Sequence, residues 1–283
     1  MPRRRLAALV LVSALALGAC GDRGEETPEA AGAPDRPQIL DVRASGHARA
    51  AKLTAARSVH PGIVQLRFRN AARGEHTAQI IGAGEGHTIA QALRAGQAWG
   101  ERGEALPDWV RFVGGTGSVP AGRLASVTTI LEPGTYAVTD IEGSGPDAAA
   151  EFRVTGERVE AELQATTARI AAREYAFEAE ALRPGRQRVL FENAGQEPHH
   201  LIALPLRPGR NLDDVKRYLG RERGAAPVDE RRAISTAILD GGSRQVVELD
   251  LVKGTYAMLC FVPDRKGGEP HALKGMVSEA TVE

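Results

Sequence analysis

The sequence predicts an all-β fold: two tandem β-sandwiches, each carrying one short inserted helix. The first observation behind this is an internal repeat. Phe68-Arg69-Asn70 aligns with Phe191-Glu192-Asn193, His76 with His199 and Gly86 with Gly209, all at one offset of 123, and Gly134-Thr135-Tyr136 aligns with Gly254-Thr255-Tyr256 at an offset of 120. One module therefore occurs twice. The second is alternation of apolar and polar residues after turn dipeptides, as in Pro61-Gly62-Ile63-Val64-Gln65-Leu66-Arg67-Phe68 and in the run from Pro184 to Phe191, the pattern of half-buried strands. The third is that only Thr88 to Leu93 and Asn211 to Leu219 pair a capping residue with one apolar helical face.

In chain order, Met1-Pro2-Arg3-Arg4-Arg5 and the apolar run Leu6 to Leu17 read as an export signal over 1–19, too short to span a membrane. Leu17-Gly18-Ala19-Cys20 resembles the lipobox of bacterial lipoproteins. That resemblance implies a lipid on Cys20 and a protein held at a bacterial membrane, facing the periplasm or the cell exterior. From there to Pro37 no apolar residue exceeds alanine, so 20–37 is expected to be the lipidated cysteine and a flexible tether. The first module is placed at 38–156 and the second at 157–283, with the boundary near Gly156. Within the first, Thr77 to Ile81 and Leu124 to Leu131 are further strands, and Phe152-Arg153-Val154 closes the module. Within the second, Ile170, Tyr175 and Phe177 fit early strands, and His200 to Leu206 and Ser243 to Leu251 fit later ones.

Composition removes several function classes. Lys plus Arg equals Asp plus Glu, 36 against 36, so no net charge attracts nucleic acid, and aromatic residues are scarce for base stacking. With Cys20 lipidated, Cys260 is the one remaining thiol of an exported chain, without a disulfide partner. Ile80-Ile81-Gly82-Ala83-Gly84-Glu85-Gly86-His87 is not a dinucleotide fingerprint: its third glycine position holds His87 and no parallel βαβ unit follows.

The chemistry concentrates near the C-terminus. Gly254-Thr255-Tyr256-Ala257-Met258-Leu259-Cys260 is a strand that delivers a thiol at its end, and a Gly/Pro-rich loop then brings in His271 and Met276. Cysteine, histidine and methionine on one loop point to copper, whose blue-copper form takes two imidazoles, a thiolate and a weak axial thioether. His199 is the candidate for the second imidazole. His200, next to it, would face the opposite side of a strand.

Asn193-Ala194-Gly195-Gln196-Glu197-Pro198-His199, the Gly-Thr-Tyr strand and the Cys-loop-His-loop-Met order resemble the cupredoxin (plastocyanin/azurin-like) family over nearly the whole second module. The resemblance implies a cupredoxin-like Greek-key sandwich with type 1 copper at one end, held by His199, Cys260, His271 and Met276. One departure stands out. Ten residues separate Cys260 from His271, where small members of the family use a few and copper nitrite reductases use more.

The first module has Asp140 at the Cys260 position and is eight residues shorter from there to its close. It is expected to be a copy without a metal site, with His76 as a polar turn residue whose hydrogen bond is satisfied. The expected function is a membrane-anchored protein carrying electrons or copper, partnered by a redox or copper-donor protein. The alternative is a binding or scaffold lipoprotein that has lost its copper. A two-domain copper oxidase or nitrite reductase is disfavoured, because the chain lacks the His-x-His pairs that a second copper centre needs.

Overall fold

The computed structural model describes residues 36–47, 51–141, 148–221 and 224–283. The signal, the lipobox with Cys20 and the tether up to Asp35 lie outside the described residues.

The first half contains β1 (Gln38–Ser45), β2 (Lys52–Ala55), β3 (Ser58–Val59), β4 (Gly62–Asn70), β5 (His76–Ala83), α1 (Ile89–Arg102), β6 (Val110–Val119), β7 (Leu124–Leu131), β8 (Gly134–Thr139) and β9 (Ala150–Val154). The second half contains β10 (Ala168–Arg173), β11 (Ala176–Glu180), β12 (Gly185–Asn193), β13 (Ile202–Pro205), α2 (Leu212–Leu219), β14 (Ile234–Ser235), β15 (Arg244–Leu251), β16 (Gly254–Leu259) and β17 (Val277–Val282). The order β2-β1-β4-β7 on one face of the first half returns as β11-β10-β12-β15 in the second. On the opposite faces, β9-β8-β5-β6 returns as β17-β16-β13-β14. In each half the opening strand pairs in parallel with the turn-led strand, β1 with β4 and β10 with β12. The chain is thus an all-β, cupredoxin-like fold with short helices, as the sequence predicts.

Local chemistry explains the elements. In β1, Leu40, Val42 and Ala44 are buried while Asp41, Arg43 and Ser45 are exposed, the period-two pattern of a half-buried strand. In β5 all eight residues are buried, because it lies between β8 and β6 with Ile80, Ile81 and α1's Ile89, Ala92 and Trp99 in one core. Thr88 caps α1 in a capping box with Gln91, and Gly103 ends it at φ 64. The helix runs nine residues beyond the expected Leu93, because Trp99 is buried against Phe112 at 5.4 Å between ring centroids. Asn211 and Asp214 form the corresponding box on α2.

The two copies also repeat their hydrogen bonds. Asn70 Nδ2 donates to the Gly74 and Val119 carbonyls and its Oδ1 accepts from Ala72 N–H. Asn193 does the same with Glu197, Leu239 and Gly195. Tyr136 hydroxyl donates to Glu132 O at 2.9 Å and Tyr256 hydroxyl to Val252 O at 3.1 Å.

The halves share one sheet. β7 pairs antiparallel with β15, Val127 opposite Val247, which joins the two four-strand faces into eight strands. Buried Gln79 donates from Nε2 to the Gly114 and Ile238 carbonyls and accepts at Oε1 from Ile238 N–H at 2.7 Å. Gln245 answers from the other half, its Oε1 accepting from Gly115 N–H at 2.9 Å. The Gln79 amide, paired at both ends, is stabilising, whereas the buried Gln245 Nε2 finds no hydrogen-bond partner and carries a cost.

Candidate metal centre

The site lies where β16 ends. Tyr256 to Leu259 are buried along the strand, and the next residue, Cys260, is 0% exposed. His199 is fixed by a reciprocal backbone pair with Leu239, His199 N–H to Leu239 O at 2.9 Å and Leu239 N–H to His199 O at 2.8 Å. His271 is returned to Cys260 by a backbone zipper: His271 N–H donates to Val262 O at 3.0 Å and Ala272 N–H to Cys260 O at 2.6 Å. Residues 271–275 then form a tight turn, with Gly275 at φ 103, the left-handed region that suits glycine. Met276 N–H closes the turn on His271 O at 2.9 Å, and Met276 is buried in the same core cluster as Cys260.

Three donor atoms converge. Cys260 Sγ lies 3.7 Å from His199 Nδ1 and 3.5 Å from His271 Nδ1, and the two Nδ1 atoms are 3.0 Å apart. Among the described residues, these three buried side chains form a group able to hold a metal ion. A triangle with those sides has a circumscribed radius of about 2.0 Å, and zinc takes imidazole nitrogen at about 2.0–2.1 Å and thiolate sulfur at about 2.3 Å. The donor set is soft and mixed, N₂S with a buried methionine close in sequence, which suits copper.

The outer edges of both imidazoles face carboxylates. His271 Nε2–H donates to Asp264 Oδ1 at 2.8 Å, which leaves Nδ1 bare toward the thiol. Asp264 also accepts from Lys274 Nζ at 2.5 Å and from Tyr175 hydroxyl at 3.0 Å. His199 Nε2 is buried without a hydrogen-bond partner, 3.7 Å from Glu174 Oε1. Glu174 is itself held by the backbone N–H groups of Gln196 and Glu197. A Cβ on Gly195 would come within 2.3 Å of that carboxylate, whereas the matching turn of the first half carries Ala72. Carboxylates behind ligating histidines fix their tautomer and raise their basicity.

Burial sets the protonation of the three donors. Burial pushes the Cys260 thiol up to about 12 and pushes His199 down to about 4, with neighbouring His271 adding to the effect. Burial also lowers His271, against the opposing pull of Asp264. At neutral pH the two imidazoles are therefore neutral and the thiol keeps its proton. Burial raises Asp264, but the hydrogen bonds from Lys274, Tyr175 and His271 outweigh it and hold the carboxyl below its ordinary range.

His200 is half-buried, and its Nε2 accepts from the N–H of Phe261 at 2.9 Å, supporting the residue after the thiol. In the first half, the positions matching His199 and Cys260 hold His76 and Asp140, joined at 2.7 Å between Nδ1 and Oδ2 with both side chains buried. His76 Nε2 donates to Arg73 O, and Asp140 Oδ1 accepts from Thr77 N–H and Oγ1–H, each at 3.0 Å. His76 opens strand β5 and lies in the interior, rather than in a turn. Sequence reasoning missed Asp264, Glu174 and Tyr175. Asp264 carried a faint signal, being the acid inside the Cys-to-His loop; the other two carried none.

No family model matches the sequence, and no curated protein matches it. Similar solved structures include auracyanin B, 22% identical over 43% of this chain and 91% of that chain, with a TM-score of 0.28. An azurin from Methylomonas sp. strain J is 18% identical over 41% of this chain and 95% of that one, with a TM-score of 0.26. A copper nitrite reductase from Nitrosomonas europaea is 13% identical over 87% and 93%, with a TM-score of 0.23. The strand order and the meeting of three donor atoms, not these scores, carry the reading of the chain.

Proposed function

We propose that this protein is a lipid-anchored, extracytoplasmic cupredoxin-like protein that holds one type 1 copper ion for electron transfer or copper handling. His199, Cys260 and His271 would be the strong ligands and Met276 the weak axial one. The convergence of Cys260 Sγ and two Nδ1 atoms within 3.7 Å of one another supports this reading above all else. Copper in such a set moves between its cupric and cuprous states with little change of geometry.

The chain's own residues keep that geometry. Cys260 follows the end of a strand paired on both sides, His199 is clamped to Leu239, and the His271 backbone is bonded to Val262 and Met276. All three donor residues are 0% exposed, so water is kept from the thiolate. The role assigned to Cys20 is an anchor; among the described residues no helix is long and apolar enough to cross a membrane. A redox or copper-donor protein would be the partner, with nucleic acid playing no part.

The competing reading is a metal-free scaffold, and the His76–Asp140 pair favours it to the extent that the matching positions of the first half are joined directly to each other. Titrating the full chain in mild detergent with Cu(II) separates the two. The copper reading expects an intense blue charge-transfer band that vanishes in Cys260→Ala. Absence of the band, with no copper retained on dialysis, selects the scaffold.

A further inference from the structure

The ten residues between Cys260 and His271 do more than close a loop. Asp264 and Arg265 are held by the first half of the chain. Trp99 of α1 donates its indole N–H to Asp264 O at 2.7 Å, and Leu106 N–H donates to Arg265 O at 2.6 Å. The Arg265 guanidinium donates to Pro107 O at 3.1 Å and Val110 O at 3.0 Å in the first half, and to Asp240 Oδ1 of its own half at 2.8 Å; the other Asp240 oxygen accepts from Phe112 N–H at 2.8 Å. The Gly267 and Gly103 backbones pass so close that a Cβ on Gly267 would lie 2.0 Å from Gly103 O. A charged fork satisfied by two carbonyls and a carboxylate is a strong, directional anchor.

What the anchored segment delivers is the Asp264 carboxylate, set against His271 Nε2 at 2.8 Å. An imidazole free of such a partner samples both neutral tautomers, and one of them puts a proton on the nitrogen that must face the thiol. We propose that the first half is a positioning element for the site in the second: through Trp99 and residues 106–110 it holds Asp264 where it locks His271 in the Nε2–H tautomer, with Nδ1 bare. This gives the half whose matching pocket is closed by His76 and Asp140 a task, and it explains why the loop exceeds the few residues needed to bridge Cys260 and His271. The proposal rests on the copper reading only for its metal readout.

The test uses the full chain with Asp264→Ala, which removes the acceptor, and two remote variants, Trp99→Phe and Arg265→Lys, which break independent contacts on the first half. The first readout is the His271 ring in the metal-free protein, by nitrogen-15 NMR. The wild type should show a slowly exchanging Nε2–H, Asp264→Ala a mixture of tautomers, and both remote variants a partial move the same way. The second is Cu(II) affinity, expected to weaken about 10- to 100-fold in Asp264→Ala and less in the remote variants.

An unchanged His271 signal in Asp264→Ala overturns the tautomer lock. A changed signal there, with no change in either remote variant, overturns the role of the first half; if one remote variant fails to fold, the other decides. Failure of the wild type to bind copper, with the NMR responses as expected, would sink the copper reading and leave this one standing.

Discussion

Filling the site with a divalent ion should expel one proton per ion at neutral pH. The thiol of Cys260, 0% exposed, is pushed up to about 12 by burial, so it is protonated in the metal-free protein. The imidazoles have nothing to give up, since His199 is lowered to about 4 and His271 is also lowered. At pH 7, removing a proton from a group titrating near 12 costs about 7 kcal/mol, at about 1.4 kcal/mol per unit. Structural zinc sites reach apparent binding energies of about 10–16 kcal/mol, so the site should still load. Each unit of rising pH between about 7 and 9 should tighten the apparent Kd about tenfold, because a single proton is exchanged. Calorimetric titration with Zn(II), which is redox-inert, in buffers of differing ionisation heat gives the proton count directly. Cys260→Ala should release none. A wild-type count near zero, meaning a thiolate already formed, or near two, meaning a charged imidazole, would refute the protonation states derived from the burial of these groups.

Two further outcomes follow from the same site. His199 titrates below its ordinary 6.5, at about 4, so its contribution to stability is complete above pH 6.5 and is lost as the unfolded chain takes up a proton that the native protein refuses. Between about pH 6.5 and 5 the metal-free protein should lose about 2 kcal/mol from this group, measured by urea unfolding; an equally steep loss in His199→Gln would contradict the assignment. Asn193→Ala removes three hydrogen bonds within the turn that presents His199 and should cost about 2–4 kcal/mol together with metal affinity. Asn70→Ala, its twin in the first half, should cost similar stability and leave metal binding unchanged; equal metal loss in both would deny that the second turn serves the site.

Much of this molecule was legible because its two copies annotate each other. The 123-residue offset placed His199 opposite His76, and the 120-residue offset placed Cys260 opposite Asp140, the very pairs that occupy matching positions in space. What stayed hidden depends on partners distant in sequence. Strand β6 reads Val-Arg-Phe-Val-Gly-Gly-Thr-Gly-Ser-Val, and its glycines erase the strand signal. Gly114 and Gly117 are present because the other half comes so near: a Cβ on Gly117 would lie 2.1 Å from Ser235 O. The opening strand β1 went unread behind a tether-like composition. The length of α1 was set by Trp99 finding Phe112 and Asp264 O. Glu174 meets His199 only after the chain has folded, so no spacing could announce it.

The β7–β15 pairing carries a consequence for how the chain can be divided. β15 has hydrogen-bonded neighbours on both flanks, and one of them belongs to the other copy. A fragment consisting of the second copy alone would leave that flank with open backbone donors and acceptors beside Val246 and Val247, a template for sticking to its own kind. The duplicated ancestor need not have had this liability. Joined through β7 and β15, each copy covers an edge of the other, so the half with the candidate metal centre draws part of its cover from its neighbour.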